Sequence, residues 1–180
     1  MDMTLRITEY KDVPQIMKII SAAQSFLASM HVNQWTNGYP SEDIIRADID
    51  RNESYVLENI SCNEKNTDAD IMAFAMFSCR EEPTYRKIYK GSWLSSGSYL
   101  VVHRMSVSPE YKKKGVAEHL LRCAENIATK NNAISIRIDT HRNNMPMRNL
   151  LSKLHYHYCG IIYLANGDER FAYEKLIKIG

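Results

Sequence analysis

Glycine and proline are scarce in this chain, seven and five among 180 residues, which predicts regular elements with limited loop content. Apolar runs are short: none approaches the ~18 residues a membrane span needs, so no membrane partner is expected. Charge of one sign is also lacking. The formal net charge is +2, too balanced to imply nucleic acid or a lipid surface by bulk electrostatics. The four cysteines, Cys62, Cys79, Cys123 and Cys159, stand far apart with no C-x-x-C. That pattern carries neither a zinc site nor a redox motif, so no metal is expected. They read as reduced thiols, mostly in the core of a cytoplasmic protein. The first residues, MDMTLRITEYKD, carry early charges and no apolar stretch of the secretory kind. Hydrophobic residues at 44% and charged ones at 24% describe a globular chain. Its length fits one domain, residues 1–180, with one sizeable core.

Periodicity then places the elements. Leu5 and Ile7 alternate with polar neighbours, as in a strand. Asp12 can cap a helix with Pro14 in its first turn, followed by Val13, Ile16, Met17, Ile20 and Ala23 at helical spacing. His31 to Pro40 reads as a loop, and Ser41 with Glu42 and Asp43 starts a second helix. Tyr55–Leu57 opens a strand, Ser61–Asp70 is polar, and Ile71–Cys79 is apolar on both faces, as a central strand would be. After a connector, Arg80–Gly97, come a strand at Tyr99–Val107, a helix at Gly115–Lys130, a strand through Ile134, Ile136 and Ile138, and a short helix at Asn144–Leu154. Two strands close the chain, Tyr158–Leu164 and Glu169–Leu176, joined at Asn166-Gly167, a strong hairpin signal. The order is β-α-α-β-β-β-α-β-α-β-β, a mixed α/β (α+β) arrangement with a partly antiparallel sheet.

Chemistry concentrates in Val107-Ser-Pro-Glu-Tyr-Lys-Lys-Lys-Gly-Val-Ala117, between a strand and a helix. Pro109 ends the strand because it cannot donate to a ladder. Gly115 stands at the helix entry, where a missing side chain lets an anion approach the backbone. The first turn of a helix leaves its N–H groups unpaired and partly positive, and Lys112, Lys113 and Lys114 add charge beside it. A pyrophosphate would fit there; a solvated basic turn with a hinge glycine is the competing reading.

In this segment the sequence resembles the GNAT superfamily of N-acetyltransferases. The family signature, Arg/Gln-x-x-Gly-x-Gly/Ala after a strand ending in Val-x-Pro, stands here as Lys112-x-x-Gly115-x-Ala117, with Lys at the first position. The resemblance continues through the strand Ser135–Thr140, Asn144 and the helix before His155-Tyr156. It implies a mostly antiparallel sheet of about seven strands with helices on both faces. Strands 99–107 and 134–140 would splay into a V. It further implies acetyl-CoA as cosubstrate. Its pantetheine arm would bond the backbone of Met105 and Val107 and the side chain of Asn144. Its pyrophosphate would meet the N–H groups of Lys113, Lys114, Gly115, Val116, Ala117 and Glu118. Acetyl transfer would proceed by direct attack of a primary amine in a ternary complex. Family members often form homodimers.

A neutral amine is needed, and alkylamines have a pKa near ~10, so a base is sought. Asp139 interrupts an apolar strand and matches a Glu assigned as base, through water, in ribosomal alanine N-acetyltransferases. Pairing with Arg142 or His141 is its alternative role. His103 and His141 are further candidates. Many relatives place an acidic Tyr seven residues after the motif Asn; that position is Leu151, so no general acid is assigned. Trp35, Tyr39, Tyr85, Tyr89 and Trp93 could wall an acceptor pocket, and Glu42 and Asp43 could attract a cationic amine. Two rivals remain: a non-catalytic acyl-CoA sensing module on the same fold, and a nucleic-acid binder using Lys112–Lys114. His155 and His157 could share one strand face, without a third metal ligand.

Overall fold

The computed structural model describes residues 2–60 and 70–177. Cys62 and the polar stretch before Asp70 lie outside the described residues. The elements are β1 (Met3–Ile7), α1 (Val13–Ser29), α2 (Glu42–Asp50), β2 (Ser54–Asn59), β3 (Ile71–Ser78), β4 (Tyr99–Val107), α3 (Val116–Lys130), β5 (Ser135–Thr140), α4 (Met145–Lys153), β6 (His157–Tyr163) and β7 (Glu169–Leu176). The seven strands form one sheet in the order β1-β2-β3-β4-β5-β7-β6. Every pairing is antiparallel except β4 with β5. The element order is the one the periodicity predicts, and no described helix is long and apolar enough to cross a membrane.

Each face of the sheet is covered because each helix carries an apolar stripe. Val116, Leu120, Leu121, Ala124 and Ala128 of α3 are buried at helical spacing. They join Leu151 of α4, Leu154 just past its end, and the β3–β5 side chains in one cluster. Burial of a leucine such as Leu120 stabilises the fold by about 1.5–3 kcal/mol. On the opposite face α1 and α2 lay Val13, Ile16, Ile20, Ile45 and Ile49 over Val56 and Phe74. The predicted central strand, β3, is buried along all eight residues.

Two local expectations are corrected. Asp12 does not cap α1 with its side chain. Its carboxylate is taken bidentately by Arg6, at 2.6 and 2.9 Å, and by the Glu9 N–H. Of the described cysteines only Cys159 is buried; Cys123 is half-buried, and Cys79, just past the end of β3, is exposed.

The connector between β3 and β4 is ordered against the sheet. Tyr89 exchanges backbone hydrogen bonds of 2.8 Å with Ile161 of β6. The approach is so close that a Cβ on Gly160, at φ +138°, would lie 2.5 Å from the Tyr89 carbonyl oxygen. Tyr85 and Trp93 are therefore not free loop aromatics. They pack with Val101, Ile162 and Ala172 as a third apolar cluster on the α1 side of the sheet.

Two irregularities in β4 shape the centre. Parallel pairing with β5 covers only Tyr99–Val101 against Ser135–Arg137, and beyond it the strands diverge. Against β3 the register shifts between Phe74 and Met76: Phe74 faces Ser106 and Met76 faces His103. The extra residue is a β-bulge, with Arg104 at φ +54°. The bulge reverses the alternation. Leu100 and Val102 point to the α3 side before it; Met105 and Val107 do so after it.

Candidate functional site

The divergence of β4 from β5 opens a cleft of about 590 Å³. β4 contributes Val102–Val107 and β5 contributes Ile138–Thr140. Around them stand Phe26 and Leu27 of α1, Gln34–Asn37 and Tyr39 of the following loop, Asn144, Met147 and Leu150 at α4, and the hairpin residues Leu164–Asn166, Asp168 and Arg170. A second cavity of about 310 Å³ adjoins it at Val107, Lys112, Ala117 and Leu150. That one is walled by the chain from Lys112 to Lys113 and from Gly115 to Glu118, with Tyr111 and Lys153.

The smaller cavity lies over the N-terminus of α3. The first helical bond runs from His119 N–H to the Gly115 carbonyl, so the N–H groups of Val116, Ala117 and Glu118 have no acceptor within the helix. Gly115 sits at φ +81°, a left-handed conformation that suits glycine, and a Cβ built on it would meet nothing within 4 Å. Lys113 is also left-handed, at φ +61°. Lys112 reaches the opposite wall, its ammonium 3.9 Å from the Phe26 ring centroid. Lys114 turns away over Tyr111 and lines neither cavity. The Glu118 side chain pairs with Lys153 and Arg122, at 2.6 and 2.9 Å, leaving its backbone as the part that faces an anion.

The fit to a long thiol cosubstrate with a pyrophosphate rests on these features. Beyond Val101, β4 has lost its β5 partner, so Met105 and Val107 border the cleft with backbone that an extended arm could pair. An anion-ready helix terminus lies at the end of the same groove. Asn144 is more constrained than an arm-binding role requires. Its Oδ1 accepts from Met147 N–H as the α4 cap, and its Nδ2 donates to Gln34 Oε1 at 3.0 Å.

At the other end the structure brings together two of the three predicted bases. His103 and Asp139 both line the cleft, with the His103 Nδ1 3.8 Å from Asp139 Oδ1. Asp139 pairs with neither Arg142 nor His141. The buried Tyr85 hydroxyl donates to its Oδ1 at 2.7 Å, while Arg142 pairs with Glu169. His103 Nε2 lies 3.1 Å from Glu82 Oε2. The hydrogen bond to His103, against the cost of burial, holds Glu82 at a pKa of about 2. Burial, with the adjacent Asp139, pushes the Tyr85 phenol well above its ordinary value, so it stays a donor. His141 lines neither cavity; its Nδ1 accepts from Asn143 N–H, and burial followed by Arg170 and Arg142 lowers its pKa.

The acceptor-side expectations divide. Trp35 and Tyr39 line the cleft; Tyr85, Tyr89 and Trp93 do not. Glu42 is tied to Arg46 on its own helix at 2.6 Å, and neither it nor Asp43 reaches the cleft. Leu151 is buried in the core and Leu150 faces the cleft, so α4 offers no proton donor there. Tyr156 packs into the core as well. Among the described residues no three His, Cys, Asp or Glu side chains gather as a metal site.

Sequence reasoning missed Glu82, Gln34, Arg104 and Arg170, and it named Tyr85 as a pocket wall rather than as the donor to Asp139. Gln34 Oε1 accepts from Thr140 Oγ1, His141 N–H and Asn144 Nδ2, tying the 31–40 loop over the end of β5. Arg104, at the bulge, holds Asp48 of α2 through two 2.8 Å bonds. These are contacts across the fold, and no local spacing announces them.

Comparison with known proteins agrees with this geometry. The Acetyltransferase (GNAT) family model matches residues 21–156. A GNAT-family acetyltransferase from Streptococcus agalactiae is 29% identical, with a TM-score of 0.85 over 98% of this chain and 96% of that one. A Staphylococcus aureus Mu50 structure described as an acetyltransferase by inference is 25% identical, with a TM-score of 0.69 over 97% and 99%. The NatC complex bound to Gag peptide and CoA shares the fold at 14% identity, with a TM-score of 0.68 over 99% and 100%. No curated protein matches in sequence. With the diverging strands, the glycine-led helix terminus and the family match in place, the chain belongs to the GNAT family of acetyltransferases.

Proposed function

We propose that this protein transfers the acetyl group of acetyl-CoA to a primary amine by direct attack in a ternary complex, with Asp139 taking the amine proton through water. The observation that carries the reading is one groove with two different ends: an anion-ready helix terminus at Gly115–Glu118, and a carboxylate–imidazole pair at Asp139 and His103. The cosubstrate would supply an activated acetyl thioester. Met105, Val107, Asn144 and the Lys112–Glu118 segment would hold it.

Asp139 is oriented for proton work. Tyr85 bonds Oδ1, and among the described residues no hydrogen bond engages Oδ2. His103, clamped by Glu82, stands beside it as a second polar wall. Backbone N–H groups of β4 past its last β5 pairing can polarise the thioester oxygen as charge develops. The protons balance without a side-chain acid. An ammonium loses one to Asp139 and solvent before attack and a second on acylation, which the departing sulfur gains. Leu150 and Leu151 are consistent with that route.

The NatC structure, with CoA and a peptide bound, supports a thiol cosubstrate and an amine acceptor in this fold. The absence of an acid from α4 favours a second reading, an acyl-CoA sensing module without turnover. Calorimetric titration with acetyl-CoA, beside Gly115→Glu and Asp139→Asn, separates them. Saturable binding lost in Gly115→Glu and kept in Asp139→Asn, with amine-dependent thiol release by the unmodified protein lost in both variants, supports the transferase. Binding without thiol release for any amine supports the sensor, and no binding to the unmodified protein overturns both.

A further inference from the structure

The acceptor end of the cleft holds a guanidinium that the fold leaves short of partners. Arg170 lines the cleft although its side chain is only 4% exposed. One good bond is made, from Nη1 to the Glu169 carbonyl at 3.0 Å. The nearest carboxylate, Asp168, lies 3.5 Å from Nη2, is itself 47% exposed, and has its Oδ2 engaged by Asn166. Other enclosed arginines are served differently. Arg137 meets Glu174 at 3.1 Å and the Ser95 carbonyl at 2.6 Å, and Arg104 is bidentate to Asp48. A buried guanidinium whose one nearby carboxylate is loosely placed is under-served, and an arriving carboxylate can take two of its remaining N–H donors.

Its position relative to Asp139 is fixed by the sheet. Asp139 lies opposite Ala172 in the β5–β7 ladder, and Arg170 is two residues along β7 on the same face. Diagonal neighbours of this kind lie about 7–8 Å apart. An anion and an under-partnered cation thus face one cavity beside Trp35 and Tyr39. The charge is felt nearby: after burial, Arg170 is the largest cause lowering the His141 pKa.

We infer that the acceptor is a free amino acid, its ammonium held at Asp139 and its carboxylate at Arg170 in place of the loosely placed Asp168. The inference rests on the transferase reading above and narrows it to one substrate class. A polyamine or a neutral amine would leave Arg170 unserved.

The test uses the full chain, with acetyl-CoA binding measured first by calorimetry. Thiol release is then followed with the common amino acids, each beside its primary amide, and with spermidine and phosphoethanolamine. The expected result is at least one free amino acid turned over at least about tenfold better in kcat/KM than its amide, since a site built around a polar partner discriminates strongly against its loss. Arg170→Gln should erase that preference mainly through KM, with acetyl-CoA affinity retained; should it fail to fold, the amino acid and amide comparison on the unmodified protein still decides. Equal use of amides, preference for spermidine, turnover of phosphoethanolamine alone, or no turnover of any amino acid while acetyl-CoA binds would each overturn the inference. Failure of acetyl-CoA to bind would instead overturn the transferase reading.

Discussion

Removal of the Asp48 carboxylate should show how the bulge in β4 is held. Arg104 has a left-handed backbone, at φ +54°, which costs a non-glycine residue on the order of 1–3 kcal/mol unless its surroundings impose it. The restraint is its side chain: two 2.8 Å bonds to Asp48, which is 2% exposed, and a 3.1 Å bond to the Tyr39 hydroxyl. Asp48→Ala strands the guanidinium, 10% exposed, and breaking one side of a buried pair costs about 3–5 kcal/mol. At about 2–4 °C per kcal/mol for a chain of this size, the expected fall in Tm is roughly 6–20 °C. The pair itself is close to break-even. Burial pushes the Asp48 carboxyl above its usual range despite the pull of Arg104. Replacing both partners, Asp48→Leu with Arg104→Met, should therefore recover most of the loss. Because Met105 and Val107 follow the bulge, the single variant should also weaken acetyl-CoA binding. Thermal unfolding by circular dichroism, with and without acetyl-CoA, measures both effects. A fall of under about 1 kcal/mol for Asp48→Ala, or a double variant as unstable as the single one, would refute the reasoning.

Three more perturbations probe the site. Tyr85→Phe keeps the buried ring but removes the donor to Asp139, so stability should fall by about 1.5–3 kcal/mol and turnover should drop at unchanged acetyl-CoA affinity, as unfolding curves and steady-state kinetics would show. Gln34→Ala deprives Thr140, His141 N–H and Asn144 of a shared acceptor; a loss of about 1–3 kcal/mol and a raised KM for the acceptor are expected. Glu82 is held at about 2 against an ordinary 4.5. A depressed carboxyl stabilises the fold above the unfolded-state value and loses that stabilisation as pH falls through the folded one, so the contribution of Glu82 should be lost between pH 4.5 and 2. Glu82→Gln should flatten the acid limb of Tm against pH.

The sequence made the frame legible because the frame is periodic. Alternation at Ile134, Ile136 and Ile138, helical spacing from Val116 to Ala128, and the Asn166-Gly167 turn each report a local choice that the whole fold keeps. Gly115 was legible for the same reason, since its left-handed φ is a local demand. The bulge was not. Nothing around Arg104 marks an extra residue, because the shift exists only against β3 and is secured by Asp48, 56 positions away. Gln34 works across 106 to 110 positions, and Tyr85 reaches Asp139 across 54 from a connector without periodicity.

Those long-range contacts share a purpose that explains the cleft. A parallel pair of strands gains a ladder bond at each step it stays together, so β4 and β5 need a reason to part after Val101 and Arg137. The α1-side face supplies one. Past that point the two strands present His103 and Asp139 to each other, and Tyr85 and Glu82 enter from the connector to bond them. Packing this polar cluster into a closed ladder would strip the groups of solvent and of those partners, at a cost of several kcal/mol for a carboxylate. The bulge acts one step later, turning Met105 and Val107 to the α3 side while Ser106 takes the face of His103. Separation of the strands and placement of the polar groups are thus one structural event. It follows that Asp139→Leu with His103→Leu should draw β4 and β5 together: hydrogen exchange at residues 102–107 should slow, and acetyl-CoA binding should be lost. Unchanged exchange in that variant would mean that the backbone alone keeps the cleft open.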